Sequence, residues 1–486
     1  MSSGRIFALL VALIALQMTS LHAQETPDPA AHFARVMANR NLAVEGQVTG
    51  EGFCWHAAYA ADSFVDGYQT HGDGAWLDGA ARYLDWLVSL MAVGPDGYRG
   101  FIGPYIYDTQ YWADVHVGDA ILINPMLRFA EVVLGDQSLE AVHGARARRY
   151  IALAERDLME KWDARGTWHD DGPQGAYASW DRYLLPDDLS TWRNLPGDKS
   201  GLSLPFNKQM DMGVAALRLF RLTGNAAYRV RAEKIFALFR ARLRLFEGGY
   251  VWNYWEPLGP WDIDLDQQRI RHWVNVHPTR NYQSREVASI VEAYHTGIVF
   301  TRQDIERIIH TNIENMWNGD RDKPRWRNAG LGGLWTPQPE GRAGTLWTAL
   351  GDFDARVRQL GGHSETSRNA PSFVRRYAVD GPTAQTEPMP SPHLTMAAAL
   401  PRVSGPSAPV LLACKAARDG ALRVDICSGD GTVVEHLYDG PIAGSDDGLE
   451  GLFWLQWNDA NLPAGTYIVR WTLDDEHREY TVEKRP

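Results

Sequence analysis

Between Trp252 and Gln283 the chain gathers side chains that move protons and hold anions. The first half reads Trp252-Asn253-Tyr254-Trp255-Glu256-Pro257-Leu258-Gly259-Pro260-Trp261-Asp262. The second half is His272-Trp273-Val274-Asn275-Val276-His277-Pro278-Thr279-Arg280-Asn281-Tyr282-Gln283. His277 and Tyr282 supply an imidazole and a phenol for acid–base work, and Arg280 between them supplies a fixed cation. Pro257, Pro260 and Pro278 keep most of this stretch out of regular helix. A loop dense in rings, amides and cations between helices is suited to form a cleft for sugar rings. The competing reading is that these rings fill the core and the histidines are satisfied there.

Three further segments are expected to face the same cleft. Tyr105 to Asp119, with Tyr107, Tyr111 and His116, loads polar groups onto a stretch that leads into an apolar helix. Leu204-Pro205-Phe206-Asn207-Lys208-Gln209-Met210-Asp211 opens another helix, where amide and ammonium donors join the positive end of the helix dipole. Asn207 is also a candidate helix cap. The third segment, Gly52 to Asp62, offers Trp55, His56 and Asp62.

The elements that must position these groups are helical from about Gln24 to Leu400. Apolar residues recur at helical spacing over 80–90, 212–222, 232–245 and 287–299. A faint repeat marks the joints between helices: His71-Gly72-Asp73, Leu134-Gly135-Asp136 and Thr223-Gly224-Asn225. In each, glycine is expected to close one helix in the left-handed conformation, and Asp or Asn to cap the next. Such helical hairpins predict a mainly α fold, an α/α toroid, over residues 24–402. A plain solenoid is the rival, but the loops are long and rich in aromatics. After Pro401 short apolar runs alternate with Gly- and Asp-rich turns, which predicts an immunoglobulin-like β-sandwich over 403–486.

Arg5 and the apolar run Ile6–Leu16 followed by Leu21-His22-Ala23 read as a secretory leader over residues 1–23, giving a secreted or periplasmic protein without membrane insertion. With 48 basic against 60 acidic residues the net charge is −12, which excludes nucleic-acid binding through a general positive field. An anionic ligand therefore needs a local cluster of cations. The 19 Trp and 19 Tyr are a generous supply of ring platforms, although they also fill cores. Three cysteines make no disulfide framework. Cys414 and Cys427 sit on neighbouring predicted strands and are candidates to pair, whereas Cys54 reads as a buried thiol. Zinc spacing, a P-loop and a dinucleotide fingerprint are all absent and no cofactor is expected, with calcium at an Asp-rich loop left open.

The run Trp252 to Pro257 with Gly259-Pro260-Trp261-Asp262, then His272-Trp273 and His277-Pro278, resembles the uronate-specific polysaccharide lyases of α/α-toroid fold. Polysaccharide lyase family 38, the alginate and glucuronan lyases, is the nearest group, and Asn207-Lys208-Gln209 and Tyr111 to Asp119 fit its pattern. The resemblance covers most of the helical part and not the β-domain. It implies an enzyme that cleaves an acidic polysaccharide by β-elimination without a cofactor, and the chain is expected to be a monomer. That chemistry removes the proton α to a uronate carboxyl group and expels the 4-linked sugar, so the carboxylate must be neutralised by positioned donors. His277 and Tyr282 are then the base and acid, in either order, and Asn207 and Arg280 hold the carboxylate. Tyr107, Tyr111, His116, Lys208, Trp252, Tyr254, Trp255, Glu256 and His272 line the substrate. Two alternatives stand beside it. One is a glycoside hydrolase of the same fold, using Glu256 with Asp119, Asp62 or Asp211 as paired carboxylates. The other is a glycan-binding protein without catalysis.

Overall fold

The computed structural model describes residues 28–38, 49–194, 201–276, 280–329, 344–361, 391, 393–404, 409–445, 449–458 and 461–486, with the side chains at 280 and 281 excepted. The leader expected over 1–23 and His277 lie outside the described residues. No helix among them is long and apolar enough to cross a membrane.

The chain is mainly helical with a β-rich C-terminal region. After α1 (Pro29–Ala38), helices come in successive pairs: α2 (Gly50–His71) with α3 (Ala75–Ser89), and α4 (His116–Leu134) with α5 (Gln137–Ala154). Then come α6 (Phe206–Thr223) with α7 (Ala226–Arg240), and α8 (Arg280–His295) with α9 (Arg302–His310). The first helix of each pair packs against the first of the next, α2 on α4, α4 on α6 and α6 on α8, while its partner lies outside. The inner helices are accordingly the more buried: α4 hides every residue from His116 to Val133. A helix apolar or buried all round belongs to an interior layer.

The joints explain the pairing. Gly72 and Gly224 close α2 and α6 with φ of 73° and 72°, each donating its N–H to the carbonyl four residues back. Asp136 and Asn225 cap α5 and α7 by accepting backbone N–H bonds, Ser138 N at 2.8 Å and Ala227 N at 3.0 Å. Gly135 departs from expectation: its φ is −83°, so α4 ends in helical conformation without a left-handed residue. Glycine has a packing role at Gly67, where a Cβ would lie 2.4 Å from the Trp76 ring and would force α2 and α3 apart.

Buried ion pairs lock the far ends of three inner helices. Arg218 and Arg221 of α6 both bind Glu292 of α8, at 2.9 and 2.6 Å, and Arg221 reaches Glu131 of α4 at 2.7 Å. These residues lie toward the C-terminal ends of their helices. The N-terminal ends of the same helices therefore gather at the opposite end.

Two features were not legible as strands. β1 (Gly103–Tyr105), β2 (Asp108–Ala113), β5 (Arg182–Leu185) and β6 (Asp188–Asn194) form one antiparallel sheet in that order, and β3 (Trp168–Asp171) pairs with β4 (Gln174–Tyr177). Both are insertions between inner and outer helices.

The C-terminal region is a two-sheet sandwich. One sheet has β7 (Leu394–Leu400), β9 (Val410–Ala416) and β12 (Phe453–Trp457). The other orders β8 (Val403–Ser404), β14 (Glu476–Lys484), β13 (Gly465–Leu473), β10 (Gly420–Ser428) and β11 (Val433–Ile442). The sandwich thus takes in residues upstream of 403. β9 is buried at every position. Its Val410, Leu412 and Cys414 face the sandwich core, while Leu411 and Ala413 pack with Trp255, Ile263, Ile270 and Val274 of the helical part. A strand covered on both faces loses its period-two pattern and reads as a continuous apolar run.

All three cysteines are free. Cys414 points into the sandwich core, whereas Ile426 does so on β10, which turns the adjacent Cys427 to the other face of its sheet. That alternation corrects the expected pairing.

Candidate functional site

The inner-helix N-terminal ends carry a connected group of half-buried polar and aromatic side chains. On α2, Glu51, Trp55 and Tyr59 recur every four residues and so share one face. The Glu51 carboxylate, 5% exposed, accepts from Lys208 Nζ of α6 at 3.1 Å and from Trp55 Nε1 at 3.4 Å. Tyr282, in the first turns of α8, lies with its ring 5.8 Å from Trp55 and stacked 5.8 Å from Tyr254 at an interplanar angle of 14°. Arg285, one turn on, binds Asp211 of α6 at 2.7 Å with its guanidinium 6.0 Å over Trp55. Glu51, Tyr105, Tyr107, His116, Asp181 and Lys208 line a small cavity at the same end.

The electrostatics follow from burial and these neighbours. Burial works against the Lys208 ammonium, but Glu51 and the Tyr107 and Tyr282 oxygens outweigh it and hold its pKa above the ordinary lysine value. Burial pushes the Tyr282 phenol up, with Lys208 opposing, so the phenol is protonated at neutral pH. Tyr254 and Tyr105 are raised further, again chiefly by burial.

The expected site residues divide into three groups. Lys208, Tyr254, Tyr282 and Tyr107 come together here. Asn207 is 1% exposed, and neither of its amide atoms has a hydrogen-bond partner among the described residues. It is not a cap, since Pro205 occupies the N-cap of α6. His272 packs its ring near Tyr254 and Trp255, at 6.0 and 5.3 Å. Tyr111 sits on β2 against Tyr183 of β5, with ring centroids 4.4 Å apart.

A second group is placed elsewhere. Trp252 is buried and donates to Glu286 at 2.6 Å, and Trp255 is buried and donates to the Ser203 carbonyl at 2.7 Å. Both indoles are core rather than sugar platforms, because their faces and their N–H groups are already used. His116 touches the cavity, but its ring is buried, stacked 3.6 Å from Trp162, with Nε2 2.9 Å from Thr167 Oγ1. Burial, with Arg165 and Lys161 adding to it, holds that imidazole neutral. Glu256 is 1% exposed, pairs with Arg242 at 3.2 Å and accepts from Asn253 at 2.8 Å, beside the β-sandwich. It is a structural ion pair, which removes the carboxylate on which the hydrolase alternative centred. Its partner candidates are also tied: Asp119 to Lys161, Asp62 to Arg128 and Asp211 to Arg285. The third group, His277 and the Arg280 side chain, lies outside the described residues.

Two expectations follow from these placements. Glu256→Gln leaves Arg242 buried and unpaired and is expected to cost about 3–5 kcal/mol of stability, seen as a lowered melting temperature, with turnover per folded molecule unchanged. A collapse of turnover at full stability would contradict the assignment. Glu286 is buried, and burial raises its pKa to about 8 although Trp252 opposes. The unfolded chain releases this proton near the ordinary carboxyl value while the folded chain keeps it up to about pH 8. The native state thus binds more protons, and stability falls as pH rises through that window. Glu286→Gln is expected to flatten the fall in melting temperature between pH 5 and 8, and an unaltered slope would contradict this.

Glu51, Tyr59 and Arg285 were missed in the sequence. The signal was present for two of them: polar or aromatic Glu51, Trp55 and Tyr59 alternate with buried Phe53, Ala57 and Ala61 on one helix.

No family model matches the chain, and no curated protein matches it. Among solved structures, a family 76 glycoside hydrolase α-mannanase from Bacteroides thetaiotaomicron aligns with 73% of this chain and 96% of its own at 10% identity and a TM-score of 0.37. A second family 76 protein of that organism, a mannosidase, covers 67% and 70% at 13% identity and 0.36. The α-1,6-mannanase of Salegentibacter sp. HEL1_6 covers 71% and 84% at 14% identity and 0.36. These structures are glycoside hydrolases, and none is a polysaccharide lyase of the family expected from the sequence. At this identity and score neither their activity nor their substrate carries over to this chain.

Proposed function

We propose that this chain is an exported enzyme that cleaves an acidic polysaccharide at the N-terminal ends of its inner helices, with those helices part of an α/α toroid. One observation carries the reading: the Lys208 ammonium, paired with Glu51, stands among the phenols of Tyr107 and Tyr282. The helix N-termini around it add partial positive charge, so an anionic sugar finds local attraction despite the net negative chain.

The same groups support β-elimination. Lys208 and the Asn207 amide, which has no partner among the described residues, neutralise the uronate carboxylate, which lowers the cost of the carbanion-like transition state. Tyr282, protonated at neutral pH, gives its proton to the departing glycosidic oxygen. His277, three residues before α8 in the sequence and outside the described residues, takes the α proton in this reading, and Arg280 supplies a further cation. Tyr254, stacked under Tyr282, fixes the phenol's direction.

Hydrolysis is the second reading, favoured by the presence of two carboxylates, Glu51 and Asp181, on one cavity. Glu51→Gln separates the two. Elimination keeps substantial turnover without that charge, whereas hydrolysis loses it. The broader reading is tested by incubating the protein with alginate, glucuronan and neutral glucans and measuring new reducing ends. Release from a polyuronate supports it, and no release from any of them overturns it.

A further inference from the structure

A second cavity, of about 670 Å³, opens where the helical part meets the β-sandwich. It shares no lining residue with the cleft cavity around Glu51 and Lys208. Its volume falls within the roughly 300–1,000 Å³ usual for small-molecule sites. The β3–β4 hairpin and the loop around Trp261 form one side, and Pro401, Val403 and Arg485 close the other.

Its walls have an unused ligand-like chemistry. The Trp261 indole packs against the His169 ring with centroids 4.4 Å apart and a tilt of 31°, a half-exposed ring pair in the cavity wall. Trp261 Nε1 donates to Ser203 Oγ at 3.2 Å, which fixes the indole, and Gly259 lets it lie close over the backbone, since a Cβ there would sit 2.2 Å from the ring. Two buried polar groups in the wall are unsatisfied. Gln174 is 6% exposed and its Oε1 has no hydrogen-bond partner among the described residues. Arg242 is 1% exposed and pairs with Glu256 through Nε, but its Nη1 has no such partner. Asp171, also in the wall, has its pKa raised by burial against the pull of Arg402.

Orphaned buried acceptors and donors cost about 1–3 kcal/mol each unless a ligand or water completes them. An apolar ligand would leave them unpaired. The charges in the wall are of both signs, Asp170 (paired with Lys234) and Asp171 beside Arg242 and Arg485, so the wall admits a sugar carboxylate. Sugar hydroxyls both donate and accept, and so fit Gln174 Oε1, Arg242 Nη1 and Asp171 together while the CH groups of a pyranose pack against the exposed part of the Trp261–His169 pair. We infer that the junction cavity is a second, non-catalytic saccharide site that holds a short segment of the polysaccharide cut in the cleft. The identity of that segment rests on the reading above, whereas saccharide binding itself rests on the cavity.

The test uses the full chain with trisaccharides from alginate, from glucuronan and from cellulose, titrated by calorimetry in the Glu51→Gln/Lys208→Met background, where the cleft is disabled. At least one trisaccharide is expected to bind. Trp261→Ala and His169→Ala should each weaken it tenfold or more, with melting temperatures matching the parent. His169→Ala guards against a folding defect from loss of the indole. Binding by none of the three, or binding indifferent to both substitutions in folded protein, overturns the inference. If binding depends on Trp261 but no polysaccharide is cleaved, the saccharide site stands and the enzymatic reading falls. If cleavage occurs and binding ignores both substitutions, the reverse holds.

Discussion

Lys208→Met is expected to lower kcat/KM on the polyuronate substrate by about 10²–10³-fold, the usual cost of losing one positioned donor to a developing anion. The ammonium sits on α6 against Glu51 of α2, with the Tyr107 and Tyr282 oxygens near enough to raise its pKa. It is therefore charged at any working pH and needs no proton exchange to neutralise a carboxylate. The substitution has a structural side effect, because Glu51 is 5% exposed and loses its partner. Breaking a buried pair costs up to about 3–5 kcal/mol, and the 18% exposure of the Lys208 side chain reduces that here. Adding Glu51→Gln removes the stranded charge. The double variant should regain the parent melting temperature and remain inactive. Recovery of activity along with stability would show that Lys208 only holds the fold.

Tyr282→Phe is the second large effect, a loss of about 10²–10⁴-fold, the range for a positioned general acid. Phenylalanine keeps the ring that stacks on Tyr254 at 5.8 Å and meets Trp55 at 5.8 Å, so folding should be unaffected. Because burial holds the phenol protonated, activity with the parent should persist to alkaline pH and decline only as the phenol ionises. Near-normal kcat in the folded Phe variant would remove Tyr282 from the chemistry.

Much of the architecture was legible because helical spacing and joint chemistry agree. Gly72 with Asp73, and Gly224 with Asn225, announced two hairpin joints correctly, since only a left-handed residue and a capping side chain satisfy both helix ends there. The sandwich strands were legible from short apolar runs between turns. The site was legible in part. Lys208, Tyr254 and Tyr282 are brought to one end of the inner helices, which places them together without testing their roles. Trp252, Trp255 and Glu256 do not, and the reason is physical: a Trp-rich loop is as good at filling a domain junction as at holding sugar, and composition does not distinguish the two. Trp255 is used between the helices and β9. Glu256 was attractive as a lone acid among rings, but its partner Arg242 is on the chain just after α7, and only the fold brings them together. Glu51 was hidden for the same reason, because the charge that gives it meaning lies 157 residues away.

The central claim is that the cleft breaks a uronate glycan by elimination. The direct measurement is ultraviolet absorbance during digestion of alginate and glucuronan. An absorbance rise in step with new reducing ends, lost in Tyr282→Phe and in the Lys208→Met/Glu51→Gln pair, is the expected result. New reducing ends without that absorbance, abolished by Glu51→Gln alone, would contradict elimination and assign hydrolysis to Glu51 and Asp181.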